Sequence, residues 1–257
     1  MLRKIFLILI LIVFISIGCS KSQIDLYESI VQKDNLTVGL SFDSKPFGFK
    51  DMDGQIKGME ADLAREIAKR ILGDEDKVIF KNVTSQDRIK AVKSGDVDIV
   101  ISTMTITPQR KKLINFSEPY FEAGQVICVK KDSKIDSLYD LINKKVIVIL
   151  GTTGEKNIKR FAPNAVIRGY ANNSDAIDAF KSGSADAITT DDSLLQAFVT
   201  ENKDYIFLPY KLTKEPYGIA FKKSRQAKTF KTTLNEIVTK IKYDGTLGNI
   251  KEKWGIY

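Results

Sequence analysis

The stretch Val97-Asp98-Ile99-Val100-Ile101, continuing as Ser102-Thr103-Met104-Thr105-Ile106-Thr107-Pro108-Gln109-Arg110, decides the fold. Its first five residues form an apolar, β-branched run that reads as a buried parallel strand. The hydroxyls after it then fall at the strand's carboxyl end, where open α/β sheets place their ligands. Ser102, Thr103 and Thr105, the backbone groups between them and the guanidinium of Arg110 make a receptor suited to a carboxylate, because arginine's planar fork pairs with both oxygens at once. In isolation the same residues would also serve as a solvated threonine-rich loop with a surface arginine.

The pattern occurs twice. Residues 91–103 read AVKSGDVDIVIST and residues 179–191 read AFKSGSADAITTD, so that Ala91, Lys93, Ser94, Gly95 and Asp98 match Ala179, Lys181, Ser182, Gly183 and Asp186. Each copy predicts the end of a helix, a glycine stop, a strand, and polar residues at the strand's carboxyl end. Thr103 thereby corresponds to Asp191. Two α/β lobes facing each other would set Arg110 and its hydroxyls on one wall and the Asp191 carboxylate on the other. That pair of walls suits the α-carboxylate and α-ammonium of a free amino acid. Helix–glycine–strand units also recur by chance in α/β proteins, so the repeat supports this reading without completing it.

The amino-terminal end predicts export. Arg3 and Lys4 precede an uncharged apolar run from Ile5 to Ile17, and Gly18-Cys19-Ser20 follows. This is a secretory signal over residues 1–18, too short for a membrane span of about 20 apolar residues. Cys19 after a small residue resembles a lipobox, which makes Cys19 the lipidation site, although Ser16 stands where that motif usually has leucine. Residues 19–35 are polar and read as a tether. Without residues 1–18 the 40 basic residues fall to 38 against 32 acidic, a net charge of +6. The excess is spread in alternating-sign groups, with no basic block of the kind that tracks nucleic acid. There is no histidine, which excludes histidine triads and the commonest zinc sites, and no metal or cofactor is expected. Cys128 lies in the apolar run Val126–Val129 and reads as a packed side chain outside any disulfide.

Further along, Leu36–Leu40 reads as the first strand. A helix opens at Gly58-Met59-Glu60-Ala61-Asp62-Leu63, its apolar stripe Met59, Leu63, Ile67 and Ile71 spaced by four. The second lobe has a strand at Val146–Leu150 and then Gly151-Thr152-Thr153-Gly154, whose free backbone N–H groups would favour an anion or simply be capped by threonine. Tyr217–Phe221 reads as a returning strand. Crossovers near 120–125 and 213–218 would then form a hinge.

These pieces together resemble the extracytoplasmic solute-binding proteins of ABC importers, in the group that binds polar amino acids. The resemblance rests on Gly58–Leu63, Thr105–Arg110 with Phe116-Ser-Glu-Pro-Tyr120, Gly151–Gly154, Asp186–Asp191 and Tyr217–Phe221. It implies a type II periplasmic-binding-protein fold of α/β class, with two lobes, a two-strand hinge and the ligand cleft between them. Residues 36–122 and 216–257 would form lobe 1 and residues 123–215 lobe 2. In that family the residues matching Ser102, Thr103, Thr105 and Arg110, helped by Thr153, hold the ligand's α-carboxylate, and the match of Asp191 holds the α-amine. Thr152 and Asn173 complete the candidate contacts. Met59 matches a position that usually stacks an aromatic on the ligand, Ser41 one often held by aspartate in binders of basic or amide ligands, and Ser44 a frequent aromatic. Arg88, in Thr84-Ser85-Gln86-Asp87-Arg88, matches an arginine of glutamate and aspartate binders and favours glutamate, aspartate or glutamine.

The resemblance implies a monomeric, non-enzymatic binder whose partners are a free amino acid and an ABC permease, held at the membrane by its lipid. A few members of the fold are exported enzymes, such as cyclohexadienyl dehydratases, or sensors. Both remain alternatives at this point.

Overall fold

The structure, a computed structural model, describes residues 24–256. The expected signal segment, residues 1–18, and Cys19 lie outside the described residues. No helix among the described residues is long and apolar enough to cross a membrane.

Two five-stranded sheets of matching order form two lobes. In the first, Leu36–Leu40 pairs in parallel with Val78–Asn82 on one side and Ile99–Val100 on the other; Ala220–Phe221 and Asn115–Phe116 continue it antiparallel. In the second, Lys145–Ile149 pairs in parallel with Val166–Tyr170 and Ala187–Asp191, and Gln125–Lys130 and Tyr205–Phe207 continue it antiparallel. Alternate residues of Gln125–Lys130 and Lys145–Ile149 enter separate apolar clusters on the two faces: Ile127, Val129, Val146 and Val148 on one, Val126, Cys128, Ile147 and Ile149 on the other. This burial on both faces is why these strands read as unbroken apolar runs. It also pushes the Cys128 thiol up to about 12.

The internal repeat is structural. Gly95 and Gly183 both take positive φ, which lets each helix stop sharply before its strand. Asp98 accepts the Thr37 N–H at 2.7 Å and returns its own N–H to the Thr37 carbonyl at 2.9 Å; Asp186 does the same with Lys145, at the same distances. The repeated aspartate thus locks the third strand of each sheet to the first, and the polar residues after it emerge at equivalent places.

Phe121–Ala123 and Glu215–Tyr217 pair antiparallel as a two-stranded ribbon joining the lobes. The loop after Ile101 is pinned to it, through Ile106 N–H to the Pro216 carbonyl at 2.8 Å and Gly218 N–H to the Met104 carbonyl at 3.1 Å. Helices Lys228–Tyr243 and Thr246–Lys253 close the chain, the first burying Phe230, Leu234, Val238 and Ile241 in the core of the first lobe.

The expected tether is corrected in part. Leu26–Lys33 is a helix, capped by Asp25 and packed on Lys228–Tyr243, with Ile30 fully buried. Its apolar stripe of Leu26, Tyr27 and Ile30 spans only two turns, too short for periodicity to stand out against polar neighbours; tertiary packing supplies what propensity lacks.

Candidate functional site

The two strand ends meet across a cleft. Ser85, Arg88, Thr103 and Thr105 of the first lobe and Thr152, Thr153, Asn173 and Asp191 of the second line one nearly closed cavity, with about 20 Å3 of free space. Asp191 ends its strand and opens the helix Asp192–Glu201; its side chain is 7% exposed and accepts the Tyr217 hydroxyl at 2.6 Å. Burial pushes its carboxyl up to about 7, against the lowering effect of that hydrogen bond. An ammonium arriving there would restore the charged form.

Opposite it, Thr103 has φ +39°, a conformation costly for a β-branched residue. It is gripped from two sides. Glu60 accepts its N–H at 2.6 Å, and Arg88 Nη1 donates to the carbonyls of Ser102 at 2.6 Å and Thr103 at 3.5 Å. Ser102 therefore contributes its carbonyl to Arg88. Thr105 Oγ1 lies 3.4 Å from Thr153 Oγ1 of the facing lobe, and Thr153 donates to Glu215 of the ribbon at 2.8 Å.

Arg110 stands behind this wall. Its Nη1 donates to the Thr105 carbonyl at 2.8 Å and its Nη2 to the Gly151 carbonyl of the other lobe at 3.3 Å. Burial lowers its pKa, while Glu215 and Asp191 act in the opposite sense. The expectation of a fork directed at a ligand is thus modified: the guanidinium places its charge behind Thr105 and ties the lobes together, and Arg88 is the arginine on the cavity wall.

Two further expectations change. Met59 does not reach the cavity; it is fully buried in the core of the first lobe, among Phe47, Leu63 and Ile67. The stripe Met59–Leu63–Ile67 and the family position made competing demands on that side chain, and the helix face decides. Ser41 lines an adjoining opening of about 290 Å3 together with Asp43, Thr84 and Asn173, and its hydroxyl donates to Asp43 at 2.5 Å. Thr152 lines the cavity, yet its hydroxyl is occupied, accepting the Glu155 N–H at 3.2 Å and donating to the Ile149 carbonyl at 2.6 Å. Asn173 bridges the lobes, with its N–H donating to Asp43 Oδ2 at 2.6 Å and Nδ2 donating to Ser44 Oγ at 2.9 Å.

Sequence reasoning passed over Glu60, Asp43, Tyr120, Glu215 and the Tyr217 hydroxyl. Glu60 carried a signal, an acid in the first turn of a helix at a position adjoining the apolar stripe, but an acid there also serves the helix dipole. Among the described residues no cluster of acidic or cysteine side chains converges as a metal site.

A cleft between two α/β lobes, joined by a ribbon and walled by opposite charges, is the architecture of a two-lobed solute-binding protein. The chain belongs to the bacterial extracellular solute-binding proteins, family 3, whose model matches residues 36–256. It is 42% identical over 236 residues to the ABC transporter glutamine-binding protein GlnH of Bacillus subtilis, covering 91% of this chain and 86% of that protein. It is 43% identical over 196 residues to the glutamine-binding protein of Geobacillus stearothermophilus, covering 75% and 74%. Among solved structures it is similar to a mutant of the arginine-binding protein ArgBP from T. maritima, with TM-score 0.82, 35% identity and coverage of 89% and 98%.

Proposed function

We propose that this protein captures glutamine outside the cell, anchored through a lipid on Cys19, and delivers it to an ABC importer by closing its two lobes on the ligand. The observation that carries the reading is the pairing of buried Asp191 on one wall with Arg88 and the Arg110-backed threonines on the other. Asp191 takes the α-ammonium. Thr105, Thr153 and the amino terminus of helix Thr153–Phe161 take the α-carboxylate, with the Arg110 charge behind them. Arg88 meets the side chain and repels lysine or arginine. Two relatives named as glutamine-binding support the amide over other polar side chains.

Calorimetric titration of the mature protein, unfolded and refolded to strip co-purified ligand, against the twenty amino acids and cystine tests this. Glutamine should bind tightest, and Asp191→Asn should weaken it at least about tenfold, since truncating one partner of a desolvated charge pair costs about 2–5 kcal/mol. A response to arginine or lysine with none to glutamine would show that Arg88 does not face the ligand.

A further inference from the structure

Behind the first-lobe wall lies an acid that the binding roles above leave unused. Glu60 is fully buried; Oε1 accepts the Thr103 N–H and the Tyr120 hydroxyl, while Oε2 has no partner among the described residues. Arg88 is 2% exposed, and among the described residues its Nε has no partner either. The two residues hold one short segment between them, Glu60 by its N–H and Arg88 by its carbonyls.

A guanidinium removed from water requires an opposite charge nearby, since an isolated buried ion costs far more than the hydrogen bonds to neutral carbonyls return. The ionisable groups that act on Arg88 are Glu60, Arg110, Asp191, Tyr120 and Tyr217. Arg110 has the wrong sign and the tyrosines are neutral, both held well above the usual phenol range by burial. Asp191 is committed to Tyr217 and, on the reading above, to the ligand's ammonium. That leaves Glu60. Its contacts fit a carboxylate: two donors converge on Oε1, and a proton on Oε2 would find no acceptor. Burial pushes Glu60 up to about 7 and Arg88 down to about 9, and each charge acts to offset the shift of the other.

We infer that Glu60 is the counter-charge of Arg88 and that, by keeping the side-chain end of the cavity neutral, it selects an amide over a carboxylate. The inference rests on the glutamine reading. With Glu60 ionised, a ligand carboxylate would place a second negative charge on one guanidinium in a dry site, whereas an amide oxygen accepts a hydrogen bond and adds none. Glu60 is a specificity-determining residue that never touches the ligand.

The test is calorimetry at about pH 8, above the Glu60 value, with glutamine and glutamate on wild type, Glu60→Gln and Tyr120→Phe. The amide introduced by Glu60→Gln keeps an acceptor for the Thr103 N–H and the Tyr120 hydroxyl, while its NH2 group takes the place of Oε2 without an acceptor, so some stability is lost along with the charge. The glutamine-to-glutamate affinity ratio should fall at least fivefold in E60Q. In Tyr120→Phe, which removes the hydrogen bond that favours the Glu60 carboxylate, only part of the charge is lost by protonation and the ratio should fall less than in E60Q. A smaller fall in folded E60Q, an equal fall in Y120F, or a wild type that prefers glutamate overturns the inference. A wild type that binds neither ligand overturns the functional reading instead. If E60Q does not fold, the double variant R88Q/E60Q decides: compensation requires that removing both charges restores a cooperative melt, and failure to restore it refutes the pairing.

Discussion

Gly151 offers a perturbation whose effects on stability and on closure separate. It sits at φ +79°, and a Cβ there would meet Gln86 Cα and N and the Ser85 carbonyl carbon of the facing lobe, each at 2.9 Å. Ordinary carbon contacts begin near about 3.5 Å, so Gly151→Ala must part the lobes locally by about 0.6 Å. The Arg110 Nη2 to Gly151 carbonyl bond, now 3.3 Å, would then stretch to about 3.9 Å, beyond hydrogen-bonding reach. Losing a hydrogen bond to a charged group costs about 1.5–3 kcal/mol, or roughly a 10- to 150-fold loss of affinity. The positive φ costs an alanine about 1–2 kcal/mol whether the lobes are open or closed, which lowers the melting temperature by about 2–8 °C. Thermal melting of the ligand-free protein and calorimetry with its ligand read the two effects. An alanine variant that melts lower yet binds within about threefold of wild type would refute the claim that the lobes must meet at Gly151 to hold the ligand.

Asp43 should act as a closing latch, because its carboxylate accepts the otherwise unpaired N–H at the start of helix Asn173–Lys181 from across the cleft. Asp43→Ala should release ligand faster and weaken binding by roughly 2- to 30-fold, the equivalent of a lost helix cap of about 0.5–2 kcal/mol; unchanged release kinetics would count against it. Asp191 and Glu60 both have folded values near 7, raised above those of an unfolded carboxylate. Their favourable contribution is therefore complete below about pH 4 and lost as pH rises to about 7, so the ligand-free melting temperature should fall between about pH 4 and pH 7 and level off above. Ligand affinity should rise over the same interval, since the ammonium needs Asp191 ionised, and binding at about pH 6 should release a proton measurable by calorimetry in buffers of different ionisation enthalpy. A flat profile in both measurements would show that neither acid is desolvated in solution.

The sequence by itself determined the elements whose causes are local or repeated. The glycine stops at Gly95 and Gly183 and the aspartates Asp98 and Asp186 repeat at one spacing, so the twin lobes, their matching strand ends and the position of Asp191 opposite Thr103 were readable along the chain. The charge pattern of the site was readable for the same reason, since Arg88, Arg110 and Asp191 lie beside recognisable strand and helix signals. What each of those charges faces was decided only by the tertiary structure. Glu60 meets Thr103 across 43 residues and Asp43 meets Asn173 across 130, and no periodicity records such pairings. Met59 illustrates the limit: its spacing fits a core stripe and its family position fits a ligand contact, and only the packing of helix Met59–Leu72 against Phe47 assigns it to the core. Arg110 does so too, for a guanidinium can satisfy a ligand, a carbonyl or a facing lobe equally well, and its Gly151 partner comes within reach only when the two lobes stand together.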